Sequence, residues 1–266
     1  MNPNCKKRMG AIRLENMKVI VQEEIAPAIF ELVLEGDMVE AMKAGQFLHL
    51  RVPDDAHLLR RPISISSIDK VKKQCHLIYR IEGSGTSIFS TLKAGDSLDV
   101  MGPQGNGFDL SDLDKQNHVL LVGGGIGVPP LIEVAKQLYE SGVEITTVLG
   151  FATKDAVILE DELAKYSQVF VTTDDGSYGI NGNVSVVIKE LDSEFDAVYS
   201  CGAPGMMKYI NQTFYDHPRA YLSLESRMAC GMGACYACVL KVPDSETVSQ
   251  RVCEDGPVFK TGTVVL

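Results

Sequence analysis

"HVLLVGGGIGVPPLIEVAKQLYESG", residues 118–142, reads as a buried strand, a glycine-rich turn and a helix, in that order. An unbroken apolar run that enters glycines, with proline opening the next segment, is how a parallel strand passes into its crossover helix. The same alternation continues downstream. EITTVLGF (144–151) precedes ILEDELAKYS (158–167), QVFVTTD (168–174) precedes NVSVVIKEL (183–191), and DAVYSCG (196–202) precedes PGMMKYINQTFYDH (204–217). A last strand, RAYLSLES, spans 219–226. Apolar strands joined by helical segments predict an α/β doubly wound parallel sheet over residues 113–218.

Upstream the period changes. KVIVQ (18–22), AIFELVLEG (28–36), GQFLHLRV (45–52), PISIS (62–66) and CHLIYRI (75–81) are short alternating segments punctuated by turn residues. They predict an antiparallel β-barrel over 12–112, interrupted by one helix in TSIFSTLKAG (86–95). Residues 219–266 carry four cysteines and no long helical pattern, and so form a small cysteine-loop domain.

Composition narrows the function classes. The net charge is −10 and the basic run CKKR at 5–8 is the longest, which argues against nucleic acid or an anionic membrane surface as partner. The first twenty residues lack the continuous apolar core of a signal peptide, and no stretch is long enough to span a bilayer, so a cytoplasmic protein is expected. The cysteines number seven, of which Cys5, Cys75 and Cys201 stand apart. With no export signal, clustered thiols point to metal rather than to disulfides. The histidines are scattered without ligand-like spacing. No paired carboxylates and no Ser–His–Asp arrangement are evident, and no catalytic side chain is assigned.

Several stretches suit phosphate. Gly123, Gly124, Gly125 and Gly127 let backbone amides approach a phosphate at the start of a helix, although the G-x-G-x-x-G fingerprint is not met, because Pro130 stands at its third position. The other strand ends, GFATKD, TTDDGSYG and CGAPGMM, are small and polar, as nucleotide sites at the carboxyl edge of an open sheet are. Asp174 and Asp175 fall here; taken alone they would be turn or cap residues. Lys154 is the one cation placed to meet a 2′-phosphate, and no arginine accompanies it, which favours NAD over NADP. In the barrel, LLRRPISISS (58–67) supplies Arg61, able to grip a pyrophosphate, and GSGT (83–86) a turn of free amides before a helix.

RPIS (61–64), YR (79–80) and G-x-G-T (83–86) together resemble the flavin-binding motif of the ferredoxin–NADP reductase superfamily. GGGIGVPP, TDDGS and CGAPGMM resemble its pyridine-nucleotide domain. MACGMGACYACV (228–239) with Cys253 is similar to the tail of the electron-transfer subunits of NAD-dependent (type B) dihydroorotate dehydrogenases, so the resemblance covers essentially the whole chain. It implies FAD contacts at Arg61, Pro62, Ile63, Ser64, Ile78, Tyr79, Arg80, Gly85 and Thr86, and a nicotinamide site near Cys201. It also implies [2Fe–2S] ligands at Cys230, Cys235, Cys238 and Cys253. The spacing C-x4-C-x2-C-x14-C agrees, since three ligands on one short loop suit a cluster better than the paired knuckles of zinc. Small residues at 231, 233, 234 and 237 leave amides free to bond to sulfur.

The resemblance further implies a conduit. Hydride passes between NAD and FAD, single electrons pass through the cluster, and a partner subunit carrying FMN oxidises dihydroorotate in pyrimidine biosynthesis, with two of each chain assembled. Two other readings stay open at this point. The chain could serve another NAD(P)-linked complex, such as a ferredoxin:NADP reductase, sulfide dehydrogenase or hydrogenase. It could also be a zinc-stabilised redox-sensing protein without catalysis.

Overall fold

The structure is a computed structural model, and it describes residues 12–191 and 194–266; Cys5 and the basic run beside it lie outside the described residues. Six strands form a closed antiparallel barrel in the order β1-β2-β5-β4-β3-β6. They are β1 (Arg13–Ala26), β2 (Ile29–Glu35), β3 (Phe47–Leu50), β4 (Arg61–Asp69), β5 (Gln74–Arg80) and β6 (Ser97–Gln104). Alternation explains the closure: Leu32, Leu34, Leu48, Leu50, Ile65, Leu77, Leu98 and Val100 all point inward to one apolar core. The helix expected over 86–95 is α1, Ser84–Phe89 only. Beyond it the Asp96 carboxylate accepts from the Lys93 amide at 2.8 Å, closing the turn at Gly95 that leads into β6.

The second sheet has seven strands in the order β10-β9-β8-β7-β11-β12-β15. β7 (His118–Gly124) leads through a glycine turn into α2 (Pro130–Glu140), then β8 (Glu144–Phe151), α3 (Glu160–Ala164), β9 (Gln168–Thr173), the two-residue β10 (Ile180–Asn181) and α4 (Val184–Glu190). β11 (Ala197–Cys201), α5 (Pro204–Thr213) and β12 (Ala220–Ser223) complete the parallel part. Along β7 the apolar run serves both faces. Val119 and Leu121 pack under α2, while Leu120 and Val122 pack with Val184, Met207 and Ile210 from α4 and α5. The order reverses between β7 and β11, which places a ligand crevice at their carboxyl ends. There the two loops touch backbone to backbone: a Cβ on Gly127 would lie 2.5 Å from the Gly202 nitrogen.

The tail departs from a simple appendage. After β12 the chain runs through the cysteine loop and a small hairpin, β13 (Val239–Lys241) with β14 (Ser249–Arg251). It then returns as β15 (Val258–Lys260), antiparallel to β12 on the edge of the main sheet. The sequence reading did not anticipate β15, because three residues show no period.

The two lobes are joined by a buried acid. Glu133, in α2 and 4% exposed, accepts from the Ile68 amide of β4 at 2.9 Å and from Gln137 Nε2 at 2.8 Å. Replacing it with alanine orphans a buried barrel amide, and about 2 kcal/mol of stability is expected to be lost. Glu133→Gln, which keeps an acceptor, is expected to lose less. The midpoints of guanidinium unfolding of the two variants decide this.

Candidate functional site

A cleft of about 740 Å³ opens between the barrel, the glycine turn after β7 and the segment after β12. All nine residues expected to meet FAD line it: Arg61, Pro62, Ile63, Ser64, Ile78, Tyr79, Arg80, Gly85 and Thr86. The two adjacent arginines divide their work. Arg60 is committed to the barrel, with both Asp99 carboxylate oxygens at 2.9 Å. Arg61 makes one recorded bond, to the Leu59 carbonyl at 2.7 Å, and its guanidinium lies so close over Gly85 that a Cβ there would stand 2.7 Å from Nε. That turn therefore has to be glycine for the cation to reach into the cleft. Thr86 closes the turn, its hydroxyl accepting from the Gly83 amide at 3.2 Å.

Two of the nine are partly engaged elsewhere. The Tyr79 ring is buried against Phe30 and Phe89, and its hydroxyl accepts from Gln22 at 2.8 Å, so the phenol serves the barrel core. Burial pushes that phenol up to about 12. Arg80 pairs with Glu82 at 2.5 Å. Sequence reasoning missed the other walls: Phe47, Ile126, Pro130 and the whole run from Ser223 to Met228. The strand-end rule, applied to β12 as it was to its neighbours, would have found that run. Within it Glu225 is reachable from the open cleft yet ringed by protein. Burial and then the Glu82 carboxylate raise its pKa, with Arg80 opposing.

The same region holds an arrangement not evident in the sequence. Asp54 Oδ2 meets His57 Nδ1 at 2.7 Å, and His57 Nε2 meets Ser84 Oγ at 2.7 Å. The chain of contacts has the order of a hydrolase triad. Here it ties the loop before β4 to the first residue of α1 at the cleft mouth.

At the nucleotide edge, Gly123 of β7 lies beside Cys201 of β11 in register, and Gly124, Gly125 and Gly127 form the turn that follows. Cys201 is 2% exposed, and burial, followed by the Glu225 charge, raises its pKa, so the thiol stays protonated. Asp174 and Asp175 follow β9, two strands away from β7. The Asp175 carboxylate accepts from the Ser177 hydroxyl at 2.6 Å and its amide at 3.0 Å, closing its own turn. Lys154 is exposed after β8.

The four cysteines stand as two pairs. Cys230 and Cys235 are linked by amide–sulfur contacts, the Cys235 amide to Cys230 Sγ at 3.4 Å and the Cys230 amide to Cys235 Sγ at 3.5 Å. Cys238 and Cys253 are buried, at 2% and 1% exposure, and their thiols interact. Further amides aim at the same sulfurs: Met232 to Cys230 at 3.4 Å and Gly233 to Cys253 at 3.2 Å. Burial raises the Cys230 pKa, but the Met232 amide, the Cys235 thiol and the Cys235 and Ala234 amides outweigh it and bring it to about 7. Burial, then Cys238, pushes Cys253 up to about 12. Among the described residues no three His, Cys, Asp or Glu side chains gather as a metal-ion site. Paired cysteine sulfurs approached by backbone N–H groups suit a cluster, whose sulfurs need such donors.

Known protein families match the chain in three parts. Residues 16–108 match the oxidoreductase FAD-binding domain, 121–212 the oxidoreductase NAD-binding domain, and 225–265 the iron–sulfur cluster binding domain of dihydroorotate dehydrogenase B. A Streptococcus pneumoniae protein, dihydroorotate dehydrogenase B (NAD(+)), electron transfer subunit, is 87% identical over 96% of this chain and all of its own length. The chain belongs to that family. The Streptococcus mutans member is 64% identical over 95% of this chain and 98% of its own length. Among solved structures, the NADH-dependent reduced ferredoxin–NADP oxidoreductase superposes with a TM-score of 0.83 at 31% identity, covering 94% of this chain and 90% of that one. The ferredoxin–NADP reductase-like fold and the FAD, NAD and iron–sulfur domains stand as the sequence suggested.

Two outcomes follow for the site. Arg61→Ala is expected to weaken FAD binding by about 2 kcal/mol, roughly thirtyfold, with the barrel intact. Arg60→Ala is expected instead to lower the unfolding midpoint; flavin titration and melting of both variants separate the roles. The second concerns pH. Burial, then the Arg60 and Arg61 charges, lowers the His49 pKa from 6.5 to about 4. Between those values the unfolded chain takes up a proton that the folded chain refuses. Stability is therefore full above about pH 6.5 and falls by roughly 3 kcal/mol as pH drops through about 4. In His49→Leu the slope of unfolding free energy on pH is expected to flatten by about one proton in that window.

Proposed function

We propose that the chain is the electron-transfer subunit of an NAD-dependent dihydroorotate dehydrogenase. Residues 12–112 would hold FAD, 113–218 bind NAD, and 219–266 hold a [2Fe–2S] cluster. One observation carries this: a single cleft is walled by the barrel motif, by the glycine turn at Ile126 and Pro130, and by Arg227 and Met228 just before Cys230. When bound, the three groups supply hydride exchange at the nicotinamide, its division at the flavin and one-electron transfer at the cluster.

The chain's own residues do the rest. Arg61 and the Gly83–Thr86 turn would grip the pyrophosphate. Gly123, Gly124, Gly125 and Gly127, with Cys201 beside them, would seat the nucleotide, and Asp174 and Asp175 would bound its far side. Cys230, Cys235, Cys238 and Cys253 would ligate the cluster, with the Met232 and Gly233 amides bonding to sulfur. Phe47, Leu224 and Met228 give the cleft apolar walls that exclude water.

The electron-transfer relatives are subunits, and the partner in this reading is an FMN-carrying catalytic subunit that oxidises dihydroorotate, with two of each chain in a cytoplasmic assembly serving pyrimidine synthesis. No helix among the described residues is long and apolar enough to cross a membrane. A role in another NAD(P)-linked complex, as with the ferredoxin–NADP relative, draws on the lower identity of 31% against 87%.

Full chain purified anaerobically is expected to carry flavin absorbance and a reduced-state EPR signal. With the catalytic subunit it should form orotate from dihydroorotate and NAD+. Cys235→Ser should abolish that coupled reaction by at least a hundredfold, yet leave NADH oxidation by ferricyanide intact. A colourless, zinc-containing chain, or no NAD+-linked orotate, would overturn the assignment.

A further inference from the structure

The barrel wall contains a polar pair that the fold does not use. His49 is fully buried on β3, and apart from a loose contact with the Arg60 backbone neither ring nitrogen has a hydrogen-bond partner. Gln104, at the end of β6 and 1% exposed, donates from Nε2 to the Met101 carbonyl at 3.1 Å, which leaves Oε1 unpaired. Unsatisfied polar atoms at this depth are costly, and apolar side chains of similar size would avoid the cost.

Both free ends converge on one residue of another domain. A Cβ built on Gly231 would collide with His49 Nδ1 and would lie 2.8 Å from Gln104 Oε1. Gly231 follows Cys230 directly and has φ +66°, a left-handed turn that favours glycine twice over, by conformation and by space. From that turn the next two amides reach Cys230 Sγ and Cys253 Sγ. His49 is also the register partner of Pro62 of the flavin motif on the neighbouring strand β4, so the strand pair that walls the cleft also carries the residue under the cysteine loop.

We propose that His49 and Gln104 are positioning residues for the iron–sulfur centre: a polar seat in the barrel wall that sets the Gly231 turn and thereby aims the amides that bond to the cluster-ligand sulfurs. The inference rests on the cluster reading above. Amide bonds to sulfur stabilise the reduced, more negative state, so they raise the reduction potential. Loosening the seat lowers it. A purely structural role predicts something else, since leucine at 49 removes an unsatisfied group from an apolar wall and would leave the centre unchanged.

The test is an EPR-monitored redox titration of full chain carrying its cluster and FAD. In His49→Leu and Gln104→Leu the cluster's reduction equilibrium constant is expected to fall about tenfold, which is about 59 mV for one electron. The g-values should shift, and iron should be lost to a chelator faster than from wild type. His49→Gln restores a donor and an acceptor at the site and should recover most of the potential. Flavin content and unfolding midpoint identify any variant that has misfolded, and the leucine variant at the other position then carries the test. Wild-type potential and g-values in both leucine variants, with iron retained, overturn the proposal and leave the cluster reading standing. A wild-type chain with no such EPR signal overturns both.

Discussion

The antiparallel pairing of β12 with β15 joins Leu222 to Phe259 and Ser223 to Val258, and the Leu224 amide extends it by donating to the Pro257 carbonyl at 2.9 Å. This short ladder closes the excursion 224–257 at both ends, so the cysteine loop is part of the main sheet's framework. Its consequence is visible in the packing. Cys238, Val252 and Cys253 share one apolar cluster with Phe259, with Leu222 of the sheet and with Phe47 of the barrel. A loop fixed only at one end would have to order its residues against their full conformational entropy. Here the strand pair supplies the closure, and core packing holds what lies between.

The barrel takes up the other side of that excursion. The Asn106 amide donates to the Gly256 carbonyl at 2.7 Å, and its side chain donates to the Glu254 carbonyl at 2.9 Å. Glu133 makes the matching link from α2 to β4. The cleft lies between these two seams. Its shape is therefore set by buried hydrogen bonds and core contacts, which suits a site where three groups must keep fixed relative positions.

What could be read from sequence follows from how each feature is encoded. The span expected for β8, 144–151, is its observed one, because strands buried on both faces are continuous apolar runs with abrupt ends. The iron–sulfur domain was legible because covalent spacing along one loop constrains what it can wrap. The flavin walls were legible where motif residues adjoin one another, at 61–64 and 78–80. β15 was not, since a three-residue strand has no period and its partner precedes it by some forty positions. The contact of Asp54, His57 and Ser84, and that of His49 with Gly231, join segments whose proximity only the closed barrel creates. Asp175 shows the opposite limit: its carboxylate closes its own turn, a use that composition alone does not separate from a nucleotide contact.

The cysteine loop is braced on its outer side as well. Arg251 donates to the Gly233 carbonyl at 2.9 Å, pairs with Asp255 at 3.2 Å, and lies 5.1 Å from the centre of the Tyr236 ring. The barrel seat meets the turn at Gly231 and this cation meets it two residues on, at Gly233. The sulfurs they position are unequal: Cys235 is exposed and Cys230 partly so, while Cys238 and Cys253 are in the core. Met232 and Tyr236, 46% and 59% exposed, flank the outward pair. A group held by all four thiolates would then reach from the protein surface to the packed interior beside Phe47, which itself walls the flavin cleft. Burial thus gives the loop a direction: Cys230 and Cys235 open toward the surface, while Cys238 and Cys253 lie in the core shared with Phe47 of the cleft wall.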